Sequence, residues 1–367
     1  MKEYDKAVKD VIGKVRTFFE RAFTSISVVS PPLSPGEFAG RSFMVVCTHR
    51  SHADYFLLGL LASELGIDNL RFAAGDNLTS LPYVGRKYRG YGAFTVKRDS
   101  ARNRTYISNL CEQVAAMLLD GDSIIVFPEG GRSYKGNMMD INQVVLGAAV
   151  VAQARDPKRE VMILPAAISY EQLPELRYFE MLGKGKGLRK PQRPVFDRLR
   201  GNLMYLGADM LAFAGFIGGS RLGRSFGSVY VDIGIPFPAA DVAGLQRNNG
   251  GGADDFWSNR GAVRNVAAET RQRLLSLYAL LPEHLLAYAL RESGTSRPDE
   301  LAPAIPDLVK RLEAQGRNIR AIRGMSGEEL VREGVSQLQR SRGLTSNGKE
   351  PTIAKRSILD YYAAAIE

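Results

Sequence analysis

Short apolar runs alternate with segments of helical periodicity from residue 43 to residue 233, and this alternation constrains the fold more than any other feature. Strands that alternate with helices build a mostly parallel sheet with helices packed on its faces. We therefore predict an α/β fold, a mostly parallel mixed sheet flanked by helices. The predicted strands are 43–47, 70–74, 93–96, 123–127, 161–169 and 228–233, and the helices between them include 55–65, 105–119 and 143–154.

A histidine and an aspartate stand five positions apart directly after the first of these strands. His49 and Asp54 lie in the segment T-H-R-S-H-A-D-Y, which is expected to form the turn into the first helix. An imidazole takes protons near neutral pH, and a neighbouring carboxylate fixes its tautomer. The spacing predicts a general base with its orienting partner, although a turn histidine of purely structural role has the same spacing. His52 is expected to stabilise the turn, and no set of metal ligands accompanies these residues.

Charge and cysteine content narrow the class of protein. The net charge is +10 and the isoelectric point is near 9.5, which favours anionic partners such as phosphorylated substrates, acidic lipid or nucleic acid. The two cysteines, Cys47 and Cys111, fall inside apolar or helical patterns and are expected to be buried, reduced thiols. The N-terminal segment lacks the pattern of a secretory signal, so a cytosolic compartment is expected.

The termini suggest two additions to the central domain. Residues 1–30 contain a basic amphipathic helix, suited either to a membrane interface or to packing on its own domain. Proline-rich residues 30–36 lead into a catalytic domain predicted over 36–247, and a helical region is predicted over 262–367. The apolar window Gly201 to Gly219 contains Asp209 and five glycines, so we reject a transmembrane span there. A dipping surface element, a lid over an apolar chain, or core packing remain as interpretations.

Three further blocks follow the His/Asp pair along the chain. The strand at 93–96 ends in Lys97 and Arg98, and arginine binds phosphate through paired hydrogen bonds. The segment F-P-E-G-G-R-S supplies the remaining candidates at residues 129–133. Its glycine amides could receive an oxyanion, its arginine adds a cation, and its glutamate is expected to bond a substrate hydroxyl or to hold the loop. The fourth block is an apolar strand with Pro165, a proline that would mark an edge or a bulge. The candidates in the third block are Glu129, Gly130, Gly131, Arg132 and Ser133.

The four blocks in this order resemble the glycerolipid acyltransferase superfamily. The segments H-R-S-H-A-D-Y, G-A-F-T-V-K-R and F-P-E-G-G-R-S are most similar to glycerol-3-phosphate acyltransferases of the bacterial membrane-bound type. The resemblance covers residues 43 to about 236. Lys97 stands where that family is expected to have arginine, and Pro128 is more typical of neighbouring branches.

The resemblance implies transfer of an acyl group from acyl-CoA or acyl-carrier protein to a hydroxyl of glycerol 3-phosphate. His49 would be the base, Asp54 its partner, and Gly130 and Gly131 the oxyanion donors. Arg98, with Lys97, Arg50 and Arg132, would hold the acceptor phosphate. The reaction requires no metal and no cofactor, and the expected location is the cytoplasmic face of the membrane, as a peripheral protein bound to anionic lipid.

Two rivals accompany this prediction. Lysophosphatidate or dihydroxyacetone phosphate could be the acceptor in the same mechanism. A non-catalytic basic module that binds membrane or nucleic acid would also account for the charge, but the chain has no nucleic-acid motif and such a module leaves the four ordered blocks unexplained.

Overall fold

An eight-stranded mixed sheet forms the centre of the computed structural model, and its strand order is β1-β7-β6-β2-β5-β3-β4, with β8 paired to β6 beside β7. The pairs of β2 with β5 and β6, β3 with β4 and β5, and β1 with β7 are parallel, while β6 is antiparallel to β7 and β8. The predicted mostly parallel mixed sheet is confirmed. The strands are β1 Ser25–Val29, β2 Ser42–Cys47, β3 Leu70–Gly75, β4 Ala93–Val96, β5 Ser123–Val126, β6 Val161–Tyr170, β7 Ser228–Ile233 and β8 Phe237–Pro238.

The structure describes residues 13, 15–32, 38, 41–80, 82–97, 103–176, 179, 214–221, 223, 225–244, 255–295, 297–346 and 351–367. Helices within these ranges are 15–22 (α1), α2 Ala53–Glu64, α3 Asp76–Thr79, α4 Pro82–Gly90, α5 Arg104–Leu119, α6 Gln143–Arg155, 214–221 (α7), α8 Ala239–Ala243, α9 Arg260–Leu277, α10 Pro282–Ser293, α11 Ile305–Ala314, α12 Gly327–Arg340 and α13 Arg356–Ala363. A 3₁₀ turn at Pro298–Leu301 and a hairpin of β9 Leu344–Ser346 and β10 Pro351–Ile353 complete the elements.

The sheet separates two apolar layers, and β2 contributes to both because its side chains alternate. Met44 and Val46 join the layer under α5 and α6, whereas Val45 and Cys47 join the layer under α2. Both faces are covered, which explains why β2 is a continuous apolar run. Cys47 and Cys111 are buried and form no disulfide, as predicted.

The described part of the N-terminal segment follows one of its two interpretations, and its helix ends earlier than predicted. Phe19 and Phe23 are buried against Phe216 of α7, so the apolar face of α1 packs on its own domain in the part of the chain that is described. The chain then enters β1, which pairs with β7, so the sheet begins before the boundary placed at residue 30. Residues 201–213 of the predicted apolar window lie outside the described residues. The remainder of that window is α7, and its Phe216 packs in the core.

The C-terminal helical region shares the apolar layer under α2. Leu286, Leu330 and Tyr362 belong to the same buried cluster as Phe43 and Leu57. The region is therefore packed onto the part of the chain that forms the sheet, and it has no separate core within the described residues. The prediction of a continuous helical pattern from 263 to 292 misses the break at 278–281, and the hairpin of β9 and β10 was not predicted.

Pro165 lies inside a central strand, contrary to the expectation of an edge or a bulge. It pairs with Val46 of β2 on one side. On the other side, the antiparallel partner of β6 changes from β8 at Ile163 to β7 at Ala166. The proline is tolerated there because its missing N–H falls in the gap between two partners. Among the described residues, no helix is both long and apolar enough to cross a bilayer.

Candidate active site

His49 and Asp54 are in direct contact at the turn between β2 and α2. The Nδ1 atom of His49 lies 3.0 Å from Oδ2 of Asp54, and both side chains are buried. A carboxylate in this position accepts the proton of Nδ1 and leaves the lone pair on Nε2. The two residues that were paired by their spacing in the sequence are therefore in contact in the structure. The basic nitrogen of the ring is Nε2.

The ring of His49 lies in an aromatic setting. It stacks on Phe127 at a centroid distance of 4.1 Å and meets the edge of Tyr55 at 5.4 Å. Burial lowers the pKa of His49 below its ordinary 6.5, the hydrogen bond to Asp54 works in the opposite direction, and the charge of Arg132 lowers it further. The imidazole is therefore neutral at pH 7, as a base must be.

Asp54 also holds the turn in which His49 stands. Its Oδ2 accepts hydrogen bonds from the backbone N–H of Arg50 at 2.7 Å and of Ser51 at 2.9 Å. The N-cap residue of α2, His52, makes no side-chain cap, and Asp54 in the first turn bonds the preceding amides instead. One carboxylate thus fixes both the ring and the backbone that carries it.

Glu129 joins this turn to the loop after β5, the neighbouring strand. Its Oε1 accepts from the N–H of His49 at 2.9 Å, and its Oε2 accepts from the N–H of Met139 at 2.8 Å. The guanidinium of Arg50 lies 3.2 Å from both oxygens. Of the two roles expected for Glu129, the structure shows the second, holding the loop.

Arg50 does not fit its predicted role as a phosphate ligand. The side chain is buried between Glu129 and the ring of Tyr278, whose centroid lies 5.1 Å from the guanidinium carbon. Burial by itself would lower the pKa of this group, but the carboxylate of Glu129 raises it above the usual value. Because its charge is neutralised inside the protein, Arg50 belongs to the support of the site.

The loop from Gly130 to Ser133 is tied to the histidine turn. Gly130 adopts a φ of 71°, and its N–H donates to the carbonyl of Phe127 at 3.0 Å. The N–H of Ser133 donates to the carbonyl of His49 at 3.0 Å, while its hydroxyl accepts from Gly136. The predicted oxyanion role of Gly130 is therefore at odds with its use inside the turn. Gly131 is half-buried beside it.

The predicted cations differ in their distance from the histidine. Arg132 is buried against Phe179, and its charge acts on the pKa of both His49 and Glu175, which places it close to His49. Lys97 is exposed at the end of β4, on the same sheet edge but three strands from β2, or about 14 Å at ordinary strand spacing. Arg98 lies outside the described residues. In the described part of the chain, no group of three His, Cys, Asp or Glu side chains is placed to hold a metal ion.

Residues 30–169 match the protein-family model described as Acyltransferase. This chain carries an acyltransferase-family domain. The match includes all four sequence blocks, and the strands β2, β4, β5 and β6 that carry them belong to one sheet.

Curated relatives extend the similarity beyond this acyltransferase domain. The chain is 28% identical over 291 residues to a glycerol-3-phosphate acyltransferase of Pseudomonas putida, covering 78% of this chain and 33% of that protein. It is 32% identical over 273 residues to one of Pseudomonas aeruginosa, covering 72% and 30%. It is 38% identical over 149 residues to one of Xanthomonas campestris, covering 40% and 17%. The chain spans about a third or less of the length of these relatives.

Among solved structures, the 1-acyl-sn-glycerophosphate acyltransferase of Thermotoga maritima aligns with 74% of this chain and 83% of its own. The alignment has a TM-score of 0.36 and 19% sequence identity.

Three residues around His49 and Asp54 were given no role in the sequence prediction. The hydroxyl of Tyr170 donates to Oδ1 of Asp54 at 2.5 Å, and Glu175 accepts from the hydroxyl of Ser51 at 2.8 Å. Tyr278 packs on Arg50 from the C-terminal region. Tyr170 directly follows the predicted strand 161–169 of the fourth block, which was the only available signal. Glu175 and Tyr278 stand in segments without a motif.

We expect the substitution Glu129→Gln to lower the free energy of unfolding by about 3 kcal/mol, because it leaves the guanidinium of Arg50 buried without a counter-charge. Chemical denaturation measures the change. Glu269→Gln is the matched control, since Glu269 pairs with Arg273 one turn away on a partly exposed helix face. This substitution should lower the free energy of unfolding by about 0.5 kcal/mol or less. Equal small effects of the two changes would show that the buried pair does not hold the two loops.

Proposed function

We propose that this chain transfers an acyl group from a thioester to a hydroxyl of glycerol 3-phosphate and so forms lysophosphatidate. The observation that carries the proposal is the contact between His49 and Asp54 inside an acyltransferase-family domain. The names of the relatives supply the acceptor. The donor is acyl-CoA or acyl-carrier protein, and both present the same thioester carbonyl.

In the proposed reaction, Nε2 of His49 takes the proton of the acceptor hydroxyl. The oxygen then attacks the thioester carbonyl directly, without a covalent intermediate on the protein. Collapse of the tetrahedral intermediate breaks the carbon–sulfur bond, and the imidazolium returns its proton to the leaving sulfur. The N–H of Gly131 is the candidate donor to the oxyanion. Every step is accomplished by side chains and amides, so the scheme needs neither a cofactor nor a metal.

Arg132 is the proposed principal ligand of the acceptor phosphate. Its charge acts on the pKa of His49, which places it near that ring, whereas Arg50 is paired with Glu129 and Lys97 lies three strands away. A guanidinium held against aromatic rings keeps its charge and presents donors in a fixed geometry. Lys97 would extend the positive field along the sheet edge. Arg98 keeps the role of phosphate ligand that the resemblance implies.

We also propose that the protein works as a peripheral protein on the cytoplasmic face of a membrane. The net charge of +10 supports attraction to anionic lipid. Phe19 and Phe23 are engaged in the core. The attachment therefore relies on charge rather than on burying these two rings in lipid.

Substituting His49 by alanine should reduce turnover at least about 100-fold, with an unchanged circular dichroism spectrum, because the base is lost. In the wild type, activity should decrease as the pH is lowered, and the midpoint of this decrease should lie below pH 6.5. The pKa of His49 is lowered, so the neutral base persists to lower pH than in a free imidazole. His52→Ala is the matched control and should retain most of the activity. Near-normal turnover of the His49 variant would refute the base assignment.

A purified-protein assay that crosses two donors with three acceptors tests the substrate. Glycerol 3-phosphate should be acylated in preference to dihydroxyacetone phosphate and lysophosphatidate, from acyl-CoA or acyl-carrier protein. Arg132→Gln should raise the KM for glycerol 3-phosphate by roughly tenfold or more, since a charged hydrogen bond is lost. Lys135→Gln changes an exposed cation of the same loop and should leave this KM unchanged. Preference for another acceptor would reassign the substrate.

Co-sedimentation with lipid vesicles tests the membrane proposal. Binding should be weak on neutral phosphatidylcholine and should increase when about 30% phosphatidylglycerol is added, because cations near the surface contribute about 1 kcal/mol each. Raising the salt concentration to about 0.5 M should release the protein, since the Debye length shortens. Firm binding to neutral vesicles at high salt would instead indicate insertion of apolar surface.

A further inference from the structure

The carboxylate of Asp54 has no exposed surface and is divided between two sets of donors. Its Oδ2 accepts from the ring of His49 and from two backbone amides. Its Oδ1 accepts from the hydroxyl of Tyr170 at 2.5 Å, a short contact of the kind that a phenol makes with a charged oxygen. The two oxygens therefore have different partners, and one of these is a side chain from another strand.

Tyr170 is held in place by its strand. Cys47, the last residue of β2, is in register with Ala166 of β6, and β6 continues for four more residues alongside the histidine turn. On its other side Tyr170 pairs with Val229 of β7, and its ring lies 5.9 Å from that of Phe23. A buried ring with strand partners and an aromatic neighbour has little freedom, so the position of its hydroxyl is fixed.

The hydroxyl of Tyr170 keeps its proton throughout the working range of pH. Burial raises its pKa well above the ordinary 10, and the charge of Asp54 raises it further. The phenol is thus a permanent donor to the carboxylate.

We propose that Tyr170 is a positioning residue of the His49–Asp54 pair, whose hydroxyl holds the second carboxylate oxygen and draws part of its negative charge away from the ring. The catalytic meaning of this contact rests on the acyl transfer proposed above. The contact itself can be measured without any substrate.

The proposal has a direct electrostatic consequence. A hydrogen bond to one oxygen of a carboxylate stabilises its charge, and the other oxygen becomes a weaker acceptor. Removing the phenol concentrates the charge on the side of His49, so the protonated imidazole becomes more stable. The other charged or titratable groups around the pair stay in place in such a variant, and they are Arg50, His52, Glu129, Arg132, Glu175, Cys47 and Tyr361.

Nitrogen-15 NMR of histidine-labelled protein measures this effect. The chain has only three histidines, and burial lowers the pKa of His284 to about 3, so its signal is constant over the range of interest. Loss of a signal in His49→Ala assigns the ring. We expect Tyr170→Phe to raise the pKa of His49 by about 0.5 or more, because a donor to its counter-ion is lost. An unchanged or lowered pKa overturns the proposal.

Two further variants, a control and a second substitution at Tyr170, complete the test. Tyr362→Phe is the matched control, since Tyr362 is equally buried and its hydroxyl binds the carbonyl of Glu171, the residue after Tyr170. It should leave the pKa of His49 unchanged, and an equal rise would show a general effect of loosening this region. Replacing Tyr170 by 3,5-difluorotyrosine keeps the shape and makes the phenol a stronger donor. It should lower the pKa of His49, and a rise would contradict the proposal even if Tyr170→Phe failed to fold.

Kinetics separates this proposal from the proposed function. If the chain transfers acyl groups, the apparent pKa of the acid limb of the kcat/KM profile should be higher in Tyr170→Phe than in the wild type. The increase should equal the increase in the pKa of His49 measured by NMR, with no change in the KM for glycerol 3-phosphate. A limb that stays in place while the NMR value rises would overturn the catalytic part of the proposal. If wild-type protein acylates no acceptor, the proposed function fails while the NMR titration still decides the role of Tyr170.

Discussion

The site depends on withdrawing the carboxylate of Asp54 from water. A buried charge of this kind is costly unless donors surround it, and four donors do so here: the ring of His49, two amides of the turn and the phenol of Tyr170. Satisfying the carboxylate therefore dictates the path of the turn after β2. The orientation of His49 follows from the same requirement.

Glu129 repeats this arrangement one strand away. Its side chain is also buried. Its two oxygens accept hydrogen bonds from one backbone N–H in each loop, and they pair with the guanidinium of Arg50. The two carboxylates thus lock the ends of adjacent parallel strands to each other. Neighbouring strand ends in a parallel sheet lie at one edge, and this is where α/β proteins bind their ligands.

The sequence was informative wherever a residue's role is local. The alternation of apolar runs located β2 to β7, and the pattern is clearest for β2, β5 and β6, which are buried along their whole length. The spacing of His49 and Asp54 fits within a single turn. It was uninformative where the role depends on distant partners. Arg50 looked like a ligand because its partner Glu129 is 79 residues away. The strand β1 was hidden within a basic helical pattern, since its pairing with β7 crosses most of the domain.

The packing of the C-terminal region shows which part of this chain is needed for a complete fold. Tyr278 rests on Arg50 directly beneath the histidine turn, and a Cβ on Gly136 of the neighbouring loop would lie 1.8 Å from the carbonyl oxygen of Tyr361. The segment 30–169 that matches the family model is thus supported by parts of the chain outside it. The stretch that can fold as a unit is therefore longer than the stretch that the family model matches.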